Sequence, residues 1–208
     1  MNENEKLRQD LLKAAHNLYM RVGIKSVSMD DIAREMGVSK KTIYQVVDNK
    51  EQLIDMVMQQ DACEDREVLA RNRSDSKDAI DEFLRNSRFF IRQMRQISPT
   101  TFRDLQKYYP SIWKEQMETH HAEFQQSIAD NLDRGMEEGL YRDDIESDIV
   151  STLYSGMIKM VIDRAHFPAQ DRLISDIISQ LTRYHFHGIT NQFGRERLES
   201  YLKQEALE

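Results

Sequence analysis

Apolar positions in the first fifty residues recur at helical spacing and are broken twice by glycine. Leu7, Leu11, Ala15, Leu18 and Val22 lie 4, 4, 3 and 4 residues apart, with Ala14 and Tyr19 beside them, which predicts one amphipathic helix stopped at Gly23. Ser28-Met29-Asp30-Asp31 then reads as an acidic capping box, flanked by Val27 and Ile32 at the spacing of a hydrophobic staple. That second helix turns Ile32, Ala33 and Met36 inward and stops at Gly37. After Gly37-Val38, Ser39 is the next N-cap, and a third short helix is predicted through Thr42, Ile43, Tyr44 and Val47. Two helices joined by so short a glycine turn form a helix-turn-helix, whose second member can enter a major groove with Lys40, Lys41, Thr42 and Gln45 outward.

Beyond Lys50 the predicted helices lengthen. A fourth carries Leu53, Ile54, Val57, Met58, Ala62, Val68 and Leu69 and ends in the polar stretch Arg73 to Ser76. A fifth carries Ile80, Phe83, Leu84, Phe90, Ile91 and Met94. Ser98-Pro99 predicts an N-cap and a proline at N1 of a short sixth, and Tyr109-Pro110 opens a seventh that runs to Gly139. Ile145 to Ala165 and Asp171 to His187 follow, separated by Phe167-Pro168, with Gly188 closing the second of them. Asn191 to Lys203 forms one amphipathic piece through Phe193, Leu198 and Leu202, with Gly194 near its start.

The helix from Ile145 is apolar on more than one side: Ile149, Leu153, Met157 and Met160 share a face, with Val150, Tyr154, Ile158 and Ile162 beside them. Such a helix is buried from both sides. One side belongs to its own core; the other meets either a partner subunit, with Gly156 allowing close approach, or further helices of a monomer. Leu153, Gly156, Met157 and Met160, with Ile177, Leu181 and Tyr184 on the next helix, are the candidate dimer interface.

Composition narrows the fold class to all-α. Seven Gly and 3 Pro in 208 residues are too few for the turns of a β-sandwich or a doubly wound α/β fold. The 39% hydrophobic content is enough for a core, and no apolar run approaches a membrane span. The lone Cys63 has no partner for a disulfide, and MNENEKLRQD has no signal-peptide core, so a cytoplasmic location without membrane association is expected. Residues 1–50 hold 9 Lys/Arg against 7 Asp/Glu, whereas the rest hold 20 against 29. A basic module on an acidic body fits a chain that meets phosphates at one end, although a chance fluctuation gives the same count.

One enzymatic alternative follows from the acids and histidines. Glu118 with His121, and Asp163 with His166, have the spacing used by helical di-metal enzymes, but a sequence with 36 acids and 6 His offers such pairs by coincidence. No catalytic residue, metal site or cofactor is otherwise expected.

The string AAHNLYMRVGIKSVSMDDIAREMGVSKKTIYQVVDNKEQLIDMV, Ala14 to Val57, resembles without a gap the N-terminal domain of the tetracycline-repressor (TetR) family of transcription regulators. The likeness rests on Gly23, Ile32-Ala33, Gly37-Val38-Ser39, Thr42-Ile43-Tyr44, Lys50 and Leu53, and Glu138 to Ile145 looks like the loop before the family's dimerisation helix. Val46 stands where the family has His or Tyr that reaches DNA backbone, and Val47 where it has Phe. The resemblance implies a three-helix DNA-binding domain, residues 1–50, and a helical ligand-binding and dimerisation domain, residues 51–208. It also implies a homodimer reading a near-palindromic operator in double-stranded DNA and released by a small apolar or amphipathic effector. Its DNA-binding residues would be Ser28, Ser39, Lys40, Lys41, Thr42, Tyr44, Gln45 and Lys50. Lys40, Lys41 and Gln45 suit base edges, while Ser28, Tyr44 and Lys50 would hold the DNA backbone. Phe89, Phe90, Met94, Phe102, Tyr108, Trp113, Met117 and Phe124 would line the effector cavity, an assignment that competes with ordinary core. The Val46-Val47 departure leaves a second reading, a dimeric ligand-binding module whose DNA binding has decayed.

Overall fold

The computed structural model describes residues 2–98, 100–162 and 172–205, and gives no account of the Met117 side chain. Pro99, Asp163, Ala165, His166, Phe167, Pro168 and Asp171 therefore lie outside the described residues. Ten helices run through the rest: α1 (Glu3–Val22), α2 (Met29–Met36), α3 (Lys40–Ile43), α4 (Lys50–Asp75), α5 (Ala79–Gln96), α6 (Thr101–Tyr108), α7 (Pro110–Glu137), α8 (Ser147–Ile162), α9 (Ile174–Ile189) and α10 (Gln192–Glu205). Among the described residues the only β feature is an isolated antiparallel bridge between Tyr141 and Thr190. The all-α expectation holds. By their contacts the residues group into two compact units: those up to Glu67 with Gln96–Thr119, and Val68–Arg95 with the described residues from His120 onward.

In the first unit the local signals act as the sequence predicts. Ser28 Oγ accepts from the Asp31 N–H at 3.2 Å while the Asp31 carboxylate accepts from the Ser28 N–H at 2.9 Å, and Val27 and Ile32 are buried as the staple. Gly37 closes α2 in the left-handed region at φ 66°. Val22, expected on the buried stripe of α1, is 45% exposed; Ile24, beyond the Gly23 turn, is buried in its place. The α-helical part of α3 ends at Ile43, earlier than expected. The chain continues to Val47 by tighter bonds, Gln45 N–H to Thr42 O and Val46 N–H to Ile43 O. Val47 is buried in the same core as Leu11, Leu18, Ile43 and Leu53, so it fills the slot where the family has phenylalanine.

Helix α6 starts at Thr101, with Thr100 rather than Ser98 as its N-cap, and the Ser98 N–H donates instead to the Met20 carbonyl at 2.7 Å. Helix α8 begins two residues later than expected, at Ser147. Gly188 is not a stop: α9 runs to Ile189 and is closed by Thr190, whose hydroxyl donates to Phe186 O at 2.7 Å. Asn191 starts α10 by accepting the Gly194 N–H at 3.0 Å.

The second unit holds two features that local spacing did not signal. The Arg134 guanidinium meets Glu82 at 2.8 Å, Glu138 at 2.7 Å and the Ser76 hydroxyl at 2.7 Å. Deeper in, His185 stacks on Phe83 with ring centroids 5.1 Å apart and lies 4.2 Å from the Tyr154 ring, its buried Nε2 without a hydrogen-bond partner among the described residues. Burial pushes its pKa down to about 4, so it is neutral at pH 7. An unfolded histidine titrates near 6.5, so the unfolded chain binds the extra proton first. Stability from this group is full above about pH 6.5 and is lost as pH falls toward 4, on the order of 3 kcal/mol in all. Denaturant unfolding at pH 7 and pH 4.5 checks this: His185→Phe is expected to flatten the difference, and an equal fall in both proteins refutes it.

Candidate nucleic-acid interface

The first unit displays a polar edge on α2 and α3. Ser39 caps α3 by accepting the Thr42 N–H at 3.1 Å, and its hydroxyl lies 2.8 Å from that of Thr42. Lys41, Tyr44 and Gln45 are exposed, as α3 and its following turn place them on the side away from Ile43 and Val47. Lys40 is also exposed, but its ammonium sits 2.9 Å from Asp30 on α2, which raises its pKa. A base edge must compete with that carboxylate for the ammonium. Ser28 is exposed, with its hydroxyl also donating to Asp31 at 2.6 Å. Hydrogen bonds from Ser28 lower the Asp31 pKa, so a negative charge stands at the positive end of α2.

Lys50 is placed differently from the other candidates. Its ammonium donates inward to the carbonyls of Ile24 and Val27 and lies 5.9 Å from the Tyr19 ring centroid. Burial lowers its pKa, against the opposing influence of Asp104 and Asp31. Asp104 itself is buried and accepts the Lys25 N–H at 2.9 Å. Nothing in the sequence pattern marked Asp104 or Lys25, because the two stand 79 residues apart.

The eight aromatic and methionine positions expected to line one cavity divide between the units. Phe102 and Trp113 pair edge-on at 6.0 Å in the first, where Trp113 packs on the hydrophobic core, and Tyr108 is exposed beneath the Lys25 ammonium. In the second, Phe89 meets Phe90 at 5.4 Å, Phe90 meets Phe124 at 5.5 Å, and Phe124 approaches Tyr154 at 6.2 Å. Met94 packs against Val161, Ile174 and Ile178. Phe83, His185 and Phe186 extend this aromatic run; the sequence marks Phe83 only as core of the fifth helix and does not mark His185 or Phe186.

The candidate interface residues come together on α8 and α9. Met157, Met160, Ile177, Leu181 and Tyr184 line one groove of about 430 Å³. Leu153 is 61% and Tyr184 72% exposed, and nothing lies within 4 Å of where a Gly156 Cβ would stand. The opposite side of α8 is closed, with Tyr154 and Val161 buried. Among the described residues no three His, Cys, Asp or Glu side chains converge to hold a metal. Glu118 lies on α7 beside Lys114, 4.0 Å away, and Asp163 and His166 are outside the described residues. No described helix is long and apolar enough to cross a membrane.

Residues 11–57 match the model of a family described as bacterial regulatory proteins, tetR family. A comparison with curated proteins finds no match. Several solved structures share the fold. A TetR-family regulator from Agrobacterium tumefaciens superposes with a TM-score of 0.71 at 16% identity, covering 91% of this chain and 100% of its own. One from Streptomyces coelicolor gives 0.67 at 18% identity, over 90% and 97%. A regulator from Saccharomonospora viridis, solved in complex with choline, gives 0.67 at 20% identity, over 90% and 100%. At these identities the superpositions establish the architecture, while the match over 11–57 carries the sequence relationship. Residues 11–57 are therefore a tetR-family N-terminal domain, carried on an all-helical architecture that the chain shares with TetR-family regulators.

Proposed function

We propose that this DNA-binding regulator is a cytoplasmic repressor that binds a near-palindromic operator as a homodimer and is released by a small effector. Members of the family are DNA-binding regulators rather than enzymes. The reading head lies within residues 1–50, and residues 51–208 carry the dimer and effector surfaces. The observation that carries the proposal is the pairing of two faces. A helix-turn-helix presents Ser39, Lys41, Tyr44 and Gln45 outward, and α8 and α9 present an uncovered apolar face. A single helix-turn-helix binds weakly, and a two-fold dimer brings two of them to half-sites roughly 34 Å apart.

Ser39 and Thr42 would meet phosphate at the start of the recognition helix, with Ser28 and Tyr44 on the flanking backbone. Lys40, Lys41 and Gln45 would reach base edges, lysine suiting guanine and glutamine adenine. The Val46-Val47 departure leaves the head intact, since Val47 is buried and Val46 packs on the same core, which supports retained DNA binding. Gln45→Ala is expected to weaken operator binding by ~1–3 kcal/mol at one base position of each half-site, without changing the salt dependence. Titration of operators varied at each position checks this; a uniform loss across all of them refutes base reading by Gln45.

The effector would enter the second unit along Phe89, Phe90 and Phe124, with Met94 nearby. Aromatic faces attract quaternary ammonium groups, so choline, held by one structural neighbour, is the first probe beside apolar compounds. Repression and release then follow from unequal effector affinity for two spacings of the reading heads. Selection of bound duplexes from a random pool, followed by a screen for compounds that release the best one, tests the whole proposal. An unenriched pool favours the dimeric ligand-binding module with decayed DNA binding.

A further inference from the structure

The loop between α1 and α2, Gly23 to Val27, is only five residues long and ends at Ser28, the cap of α2. Its backbone polar groups are held from two other helices. Lys50, the first residue of α4, donates to the carbonyls of Ile24 and Val27. From α6, the Asp104 carboxylate accepts the Lys25 N–H at 2.9 Å. Thr101, also on α6, donates its hydroxyl to Tyr19 O at 3.0 Å, the carbonyl that receives the Gly23 N–H closing α1. The loop is thus fixed at both ends and in its middle by side chains whose own positions are set by packing, Asp104 being 5% exposed.

Lys50 carries three N–H donors, and two are committed to carbonyls of this loop. Its ammonium is half-buried against Tyr19, whereas neutralising a phosphate and releasing a counterion calls for an exposed charge. We propose that Lys50 and Asp104 are positioning residues for operator binding. By holding the Ile24 and Val27 carbonyls and the Lys25 N–H they set where the capped start of α2 stands against DNA, and Lys50 acts through that geometry rather than as a charge on phosphate. This rests on the reading of the chain as an operator-binding protein.

Charge and geometry give opposite signs at Asp104. Removing a carboxylate from a DNA-binding head strengthens binding if only charge matters, and weakens it if the loop is released. Asparagine keeps an oxygen that accepts the Lys25 N–H; alanine does not. The experiment measures Kd for the selected operator against salt concentration with full-length wild type, Lys50→Met, Asp104→Ala and Asp104→Asn, with thermal unfolding in parallel. Lys50→Met is expected to lose ~10-fold in affinity, the worth of a hydrogen bond from a charged group, with an unchanged slope of log Kd on log salt. Asp104→Ala is expected to bind several-fold more weakly, and Asp104→Asn to recover most of that loss. A slope reduced by about 0.9 per half-site in Lys50→Met makes Lys50 a phosphate contact and overturns the proposal. Tighter binding by Asp104→Ala, or equal binding by the alanine and asparagine variants, overturns it as well. If Lys50→Met fails to fold, the two Asp104 variants decide. Wild type that binds no duplex at any salt overturns the operator-binding reading itself, and the positioning role with it.

Discussion

Arg134→Ala is expected to destabilise the second unit by ~3–5 kcal/mol. The guanidinium serves three elements at once: Glu82 on α5, Glu138 just past its own helix, and the Ser76 hydroxyl in the turn between α4 and α5. Glu82 is 3% exposed, so its carboxylate has almost no water to fall back on. Truncating the arginine leaves that charge buried beside Arg73, whose guanidinium lies 3.6 Å away and is itself half in solvent. Burial works against the charged form of Arg134, but hydrogen bonds to Glu138 and Glu82 outweigh it and raise its pKa. The loss therefore comes from a buried acid left with only the longer, half-exposed Arg73 contact, more than from the missing Arg134 pair itself. Two measurements separate these. Denaturant unfolding followed by circular dichroism gives the single-variant loss, and the double variant Arg134→Met with Glu82→Leu should recover most of it, because apolar replacement of a buried pair is close to neutral. A loss below about 1 kcal/mol in Arg134→Ala, the range of exposed pairs, would show that water reaches Glu82 freely.

Arg134 and Glu82 are 52 residues apart, as Asp104 and Lys25 are 79 apart, and no spacing rule links positions that only the folded chain brings together. The Ser28 capping box was legible because all of its chemistry lies within four consecutive residues, and the Gly37 stop because one left-handed residue suffices. Lys50 shows the limit of a matched motif: its place in the pattern was right, but the direction of its ammonium depends on the carbonyls of a loop that follows another helix. Gly188 misled as a helix stop because a hydroxyl two residues on, that of Thr190, closes α9 instead. Gly135, inside α7, has a reason only in three dimensions: the Tyr141 ring lies where its Cβ would be. From there the Tyr141 hydroxyl donates to Asn131, whose amide donates to Ala79 O. Of the two apolar faces that the spacing marks on α8, the structure buries one at Tyr154 and Val161 and leaves Ile149, Leu153 and Met160 on the other exposed.

If the proposed homodimer forms through α8, Gly156→Glu is expected to make it a monomer at micromolar concentration and to weaken operator binding on the order of 10³-fold, the range gained when two linked half-sites bind together. In the isolated subunit the change is harmless. The Cβ meets nothing within 4 Å, the position is exposed, and a helical glycine replaced by a residue of higher helix propensity gains about 0.5 kcal/mol. In an isologous interface the same surface faces itself, so two added carboxylates are brought near each other among Leu153, Met157 and Met160, with Lys159 three residues on as a basic neighbour too exposed to offset their burial in full. Light scattering gives the mass, circular dichroism the helix content, and titration on full operator and isolated half-site separates avidity from base reading. The expected pattern is a folded monomer whose half-site affinity equals that of wild type. Gly156→Ala controls for backbone effects: it adds a methyl without charge and should keep a dimer if the helices do not touch at this glycine, or loosen it if they do. A Gly156→Glu protein that remains dimeric with unchanged operator affinity would place the dimer contact elsewhere, and would leave the groove between Met157 and Tyr184 open for another purpose.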